Sequence, residues 1–246
     1  MLKAIMFGAI GTLVETSELQ RQAFNEAFAQ EGLEWNWDED LYRDLLEVSG
    51  GRNRIRHYAE ERGDTLSEEE VASLHTRKTE LYQQKLREGV QLRPGVARLI
   101  REALEEGVPL AFASTTSPKN IETIADAVGD ALPLERFAAV MNAEEVENKK
   151  PEPDVYKRCL ETLDIQADEA VAIEDTAISL QSAVNAGLVS VATPGQYTSE
   201  QDFSAADAVL EHLGDPDNAP EAIRSPAPLP EGGVSVAWLR ELVERG

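Results

Sequence analysis

The chain has 246 residues, 42% of them apolar, which is enough for one large α/β domain or for a core domain with a smaller insert. Lys and Arg number 23 against 46 Asp and Glu, so the formal charge of −23 excludes a surface that attracts nucleic acid or anionic membranes. The single cysteine, Cys159, rules out an intrachain disulfide and a cysteine-based zinc site and fits a reducing, cytoplasmic setting. No apolar run approaches the ~20 residues of a membrane span, and the start of the chain lacks the pattern of a signal peptide.

Residues 3–8 (KAIMFG) read as a buried strand that ends in a Gly/Thr loop, Gly8-Ala9-Ile10-Gly11-Thr12. From 17 to 32, Leu19, Ala23, Phe24, Ala27 and Phe28 recur at helical spacing. Helical patterns over 38–48, 52–62 and 67–88 follow with no strand between them, the last opened by a capping box at Ser67-Glu68-Glu69-Glu70. Residues 16–90 therefore have the composition of an inserted helical cap.

Pro94-Gly95 marks a boundary, after which the pattern alternates. Helices are predicted over 95–106, 118–128, 153–163 and 177–186, and strands over 108–114, 137–142, 169–174 and 188–193, with a short apolar run at 207–210 as an edge strand. This alternation predicts an α/β fold, a doubly wound parallel sheet with helices on both faces, built from residues 1–15 and 91–213. The five prolines within 214–233 mark a linker, and 214–246 is set apart as a Pro-rich linker and a C-terminal tail helix. Trp238 and Leu242, four residues apart, dock on the core or on a second subunit, and on the second reading the tail carries a protein partner or a homodimer contact.

Ligands of an open α/β sheet bind outside the carboxyl ends of its strands. The residues just past those ends are Gly8 to Thr12, Ser114-Thr115-Thr116, Lys149-Lys150 before Pro151, and Glu174-Asp175-Thr176. Each group has an ordinary use: the hydroxyls cap the helix at 118, Asp175 caps the helix at 177, and the lysines are solvated. Their common edge argues for a site.

In order and context these segments resemble the motifs of the haloacid dehalogenase-like superfamily, within its β-phosphoglucomutase and CbbY-like sugar phosphatase subgroup. The resemblance covers residues 3–213 and implies a Rossmann-like core with an α-helical cap inserted after the first strand. It rests on FGAIGTL, on Ser114 in AFASTTSPKN, on Lys150 in KKPEPDVY and on Glu174-Asp175 in AIEDTAISLQSAVNAG. The cap entry QRQAFNEAF and the loop SGGRNRI are also similar to this subgroup. The family's chemistry uses one Asp as nucleophile and a second as acid/base in its first motif. The resemblance sets those two positions at Gly8 and Ile10, so the first motif is degenerate and neither catalytic group is present. It implies phosphate binding by Thr12, Ser114, Thr115 and Lys150, and a metal site at Glu174 and Asp175. Mg²⁺ is the implied cofactor, with binding expected to be weak or absent because position 8 has no carboxylate. Lys150 then either holds a phosphoryl oxygen or pairs directly with Glu174 or Asp175. In the cap, Arg52 and Arg54 are candidate substrate contacts, against a second reading as solvated charges at a helix start. Gln20 stands where the subgroup usually has a His.

Two functions follow. One is a catalytically inactive relative that binds a small phosphorylated metabolite, an inorganic anion or a partner protein. The other is an active Mg²⁺-dependent phosphatase or phosphomutase on a small phosphorylated sugar, using a non-standard nucleophile. For that role, Thr12, turned toward the backbone, Glu15, a helical turn outward, and Cys159, buried mid-helix, are poor substitutes. His57, His75 and His212 are isolated and carry no assigned role.

Overall fold

A computed structural model describes residues 1–245 apart from Ala9 and Ser49. The described chain forms two compact units, Met1–Glu15 with Val90–Gly246 and, between them, Thr16–Gly89.

The first unit contains β1 (Ala4–Phe7), α1 (Ile10–Leu13), α6 (Val96–Glu105), β2 (Leu110–Ala113), α7 (Pro118–Val128), β3 (Ala139–Met141), α8 (Asp154–Leu163), β4 (Ala170–Glu174), α9 (Ala177–Asn185), β5 (Val189–Ala192), β6 (Ala208–Leu210), β7 (Ala222–Arg224) and α10 (Val236–Arg245). The intervening numbers, α2 (Ser17–Gln30), α3 (Glu39–Leu45), α4 (Gly51–Arg62) and α5 (Glu68–Arg87), make up the second unit.

The sheet has the order β3-β2-β1-β4-β5-β6-β7. Every pairing is parallel except β6 with β7. Strands covered on both faces need apolar residues at every position, and β1 (AIMF), β2 (LAFA) and β4 (AVAIE) are buried throughout. Below them, Met6, Ala111, Ala172, Val155, Tyr156 and Cys159 belong to one packed core cluster. β1 lies between β2 and β4, so the strand order reverses there, which is the place where an open α/β sheet opens a crevice for ligands. Phe7 pairs with Ile173, and the Gly8 amide donates to the Ile173 carbonyl at 2.9 Å, which brings Gly8 beside the end of β4.

Two readings of the sequence are corrected. Residues 10–13, expected as loop, form a single helical turn. The run at 207–210 is not an edge, because β7, an exposed antiparallel strand inside the expected linker, pairs with β6. The tail helix docks within its own unit, one of the two readings of Trp238 and Leu242: α10 packs on α6 and β4, with Leu239 fully buried and Trp238 and Leu242 nearly so.

The second unit is all-helical. The capping box of α5 is present, with Ser67 and Glu70 satisfying each other's backbone amides. Its core is aromatic. Phe24 and Phe28 of α2 lie 4.6 and 4.8 Å from Trp37, and Trp37 packs edge-on to Tyr58 at 5.5 Å. Such pairs add specific geometry to a large apolar payload.

Candidate active site

The carboxyl ends of β1 and β4, the turn after β2 and the loop before α8 supply the residues in question. Gly8 is fully within the interior and has no side chain of its own; a Cβ built on it would fall onto the Glu174 carboxylate. Glu174 therefore fills the space that a side chain at position 8 would take. It ends β4, is fully buried, and accepts at Oε1 from Lys150 Nζ at 2.5 Å and from the Tyr156 hydroxyl in a very short bond. The Lys150 side chain is only 5% exposed, and its ammonium also lies 4.9 Å from the centre of the Tyr156 ring. A buried carboxylate is tolerated only when it is paired and hydrogen-bonded; here a cation and a phenol do both. Burial, and then the charge of Glu174, push the Tyr156 phenol well above its ordinary range, so it remains a donor.

Asp175 follows, also buried. Its Oδ1 accepts from the Thr12 hydroxyl at 3.2 Å, and its backbone carbonyl accepts from Thr198 Oγ1 at 2.7 Å. Its pKa rises to about 7, chiefly through burial and next through the charge of Glu174, against the opposing pull of Arg93 and Lys150. Gly11 is required by this approach, since a Cβ there would collide with Asp175 Oδ2. The Thr12 hydroxyl is thus engaged with a side chain, where the sequence suggested the backbone.

Ser114 is buried at the end of β2, and its Oγ accepts from the Thr116 amide at 3.2 Å. Thr115 beside it is half-buried. The capping readings do not hold: Ser117 caps α7 and Thr176 caps α9, each accepting from a backbone amide of the first turn. Ser114 and Asp175 are therefore not used as helix caps. Ile10 opens α1 and brings no polar group, and Ala9 lies outside the described residues. Cys159 sits below in the core, and burial raises its thiol to about 12, so it carries no thiolate at neutral pH.

Two residues that pattern reading passes over hold this edge together. Tyr156 looks like one more apolar position of α8. Arg93 looks like a boundary charge before Pro94, yet its guanidinium donates to the carbonyls of Gly11 (3.1 Å), Thr193 (2.6 Å), Pro194 (2.8 Å) and Glu211 (3.2 Å). The only sequence signal for either is a long polar side chain next to a motif.

Within the helical unit, Gln20 Oε1 accepts from Lys78 Nζ at 2.8 Å, and Lys78 also lies over the rings of Phe24 and Tyr82. Arg52 is exposed. Arg54 is not solvated: it is buried, donates to the carbonyls of Leu45 (2.7 Å) and Val48 (3.2 Å), and lies over the Tyr42 ring. These bonds close the end of α3, so the reading of Arg54 as a solvated charge is corrected.

Comparison with known proteins shows the family. The family model described as haloacid dehalogenase-like hydrolase matches residues 5–193. Protein CbbY from Cupriavidus necator is 42% identical over 221 residues, covering 87% of each chain. The chain belongs to the haloacid dehalogenase-like hydrolase family. Among solved structures, an Asp-to-Asn point mutant of CbbY from Rhodobacter sphaeroides in complex with xylulose-(1,5)bisphosphate superposes with a TM-score of 0.75 at 40% identity, covering 86% of this chain and 95% of that one. The same R. sphaeroides protein is also known in complex with phosphate, with the same similarity and coverage.

Phosphatases of this family generally use Mg²⁺. The residues present do not fit that ion. Mg²⁺ needs several well-placed oxygen donors in near-octahedral geometry. Here Glu174 is bound to an ammonium and a phenol, Asp175 is bound to Thr12, and no group of three or more His, Cys, Asp or Glu side chains able to hold a metal occurs among the described residues.

Proposed function

We propose that this member of the family does not hydrolyse phosphate esters through an aspartyl phosphate and instead binds a small phosphorylated metabolite. The observation that carries the reading is the Glu174 carboxylate in the space next to Gly8, paired with Lys150. A fully buried, ion-paired carboxylate is a poor nucleophile, and Ile10 moves no proton. The loss is steep, because phosphate monoester hydrolysis needs accelerations up to ~10²¹. Binding is supported by the retained Ser114, Thr115 and Lys150 at one sheet edge, and by the R. sphaeroides relative, whose solved complexes contain phosphate and a xylulose bisphosphate.

The test measures turnover of sugar phosphates with Mg²⁺ by the native chain beside a Gly8→Asp/Ile10→Asp variant, together with calorimetric titration of a pentulose bisphosphate. No turnover by the native chain with measurable binding is the expected result. Turnover that disappears on Lys150→Ala would establish the second reading, a phosphatase with a non-standard acceptor, for which the position of Glu174 is the one favourable observation.

A further inference from the structure

The absence of a fit for Mg²⁺ leaves a question of charge. A phosphoryl group is multiply anionic, and in a site that binds a divalent cation much of that charge meets the metal. In this chain the Arg93 guanidinium at the edge is taken up by backbone carbonyls, and the Lys150 ammonium beside Glu174 is already engaged. Glu174 Oε1 holds it at 2.5 Å, in a pocket where the carboxylate lies beside Gly8 and accepts a second bond from Tyr156. Glu174 thus occupies, from within the chain, the kind of place an anionic ligand would take.

We propose that Glu174 is an internal competitor for the anion site: its carboxylate keeps Lys150 occupied, and a phosphoryl group binds without a divalent metal by taking Lys150 over from it. This rests on the reading of the chain as a phosphate-binding relative. The argument is one of exchange. A carboxylate and a phosphoryl oxygen offer a lysine the same charge-assisted bond. Ligand binding therefore replaces one ion pair by another, and its net strength is reduced by the strength of the pair that is broken. Removing the internal charge should raise affinity for an external one. In a metal-dependent site the opposite holds, because the same carboxylate helps to recruit the ion and its loss weakens phosphate binding.

Inorganic phosphate is the probe, titrated calorimetrically into the full chain in EDTA and again in millimolar Mg²⁺. The expected results are equal affinities in the two buffers and an affinity at least tenfold higher for Glu174→Gln. Glu174→Ala, which removes the competing carboxylate outright, should give a gain of the same sign, and it serves if Glu174→Gln does not fold. A tenfold strengthening by Mg²⁺ in the native chain overturns the proposal, as does unchanged or weaker binding in the folded variants; both outcomes leave the phosphate-binding reading standing. If neither the native chain nor any folded variant takes up phosphate in either buffer, the underlying binding reading falls with it.

Discussion

Gly8 and Glu174 sit side by side at the ends of adjacent parallel strands, and the carboxylate of one occupies the space a side chain on the other would need. The relationship makes the two positions sterically exclusive. Gly8→Ala forces a fully buried, ion-paired carboxylate to move, and overpacking of this kind costs about 1–3 kcal/mol. In a Glu174→Ala background the same change should cost much less. A double-mutant cycle by urea unfolding reads the difference, and equal costs in the two backgrounds would show that the residues do not compete for space.

Lys150 and Glu174 should behave as a pair that is worse broken than deleted. Lys150→Met leaves a buried carboxylate without its cation and should cost about 3–5 kcal/mol. Lys150→Met/Glu174→Gln should recover most of that loss, because neither partner is then left charged in the interior. Unfolding free energies of the two variants decide this; a double variant no more stable than the single one counts against it.

Lys78 gives the helical unit a pH dependence of definite sign. Burial, and then the neighbouring Arg54, lower its pKa from 10.5 to about 7. Gln20, Phe24, Tyr82 and His75 also border it, and His75, lowered to about 4 by burial and by Lys78 itself, is neutral across the range concerned. Between pH 7 and 10.5 the unfolded chain binds the proton that the folded chain does not, so the Lys78 contribution to stability grows as pH rises and is lost as pH falls through 7. Relative to Lys78→Met, the native chain should gain roughly 1 kcal/mol per pH unit between pH 7.5 and 9.5. A difference that stays flat across that range would mean an ammonium of ordinary basicity.

Arg93 joins four backbone carbonyls from segments far apart in sequence. Its planar fork is what allows this, and a lysine offers three donors from one point. Arg93→Lys should destabilise the first unit by about 2–4 kcal/mol, since several partly buried carbonyls would lose charged donors. Hydrogen exchange should quicken first at Gly11 and Thr193 amide neighbours. A cost below half a kilocalorie would make the guanidinium incidental.

Much of the α/β core was legible because its signals are long. Strands buried on both faces produce apolar runs, helices produce spacing, and their alternation fixes a parallel sheet. β7 was hidden for the opposite reason: three exposed residues among prolines have no periodicity to read. The four residues of α1 include a glycine and resemble a loop. At the site, motif order pointed to Ser114, Lys150, Glu174 and Asp175, which the fold brings to one edge of the sheet. The partners of those residues could not be read. That Tyr156 donates to Glu174, or that Arg54 serves carbonyls of its own unit, depends on distances across 18 and 9 residues of chain that no local pattern records.

Both outer strands of the seven-stranded sheet, β3 and β7, are three residues long. A free strand edge is a template on which another chain can add, and shortness is one of the ways natural sheets blunt it. With a formal charge of −23 spread over each molecule, two copies also repel before such edges could meet. The sheet thus has little capacity to seed intermolecular β-pairing, and this protein should stay dispersed at concentrations where a sheet with long bare edges would aggregate.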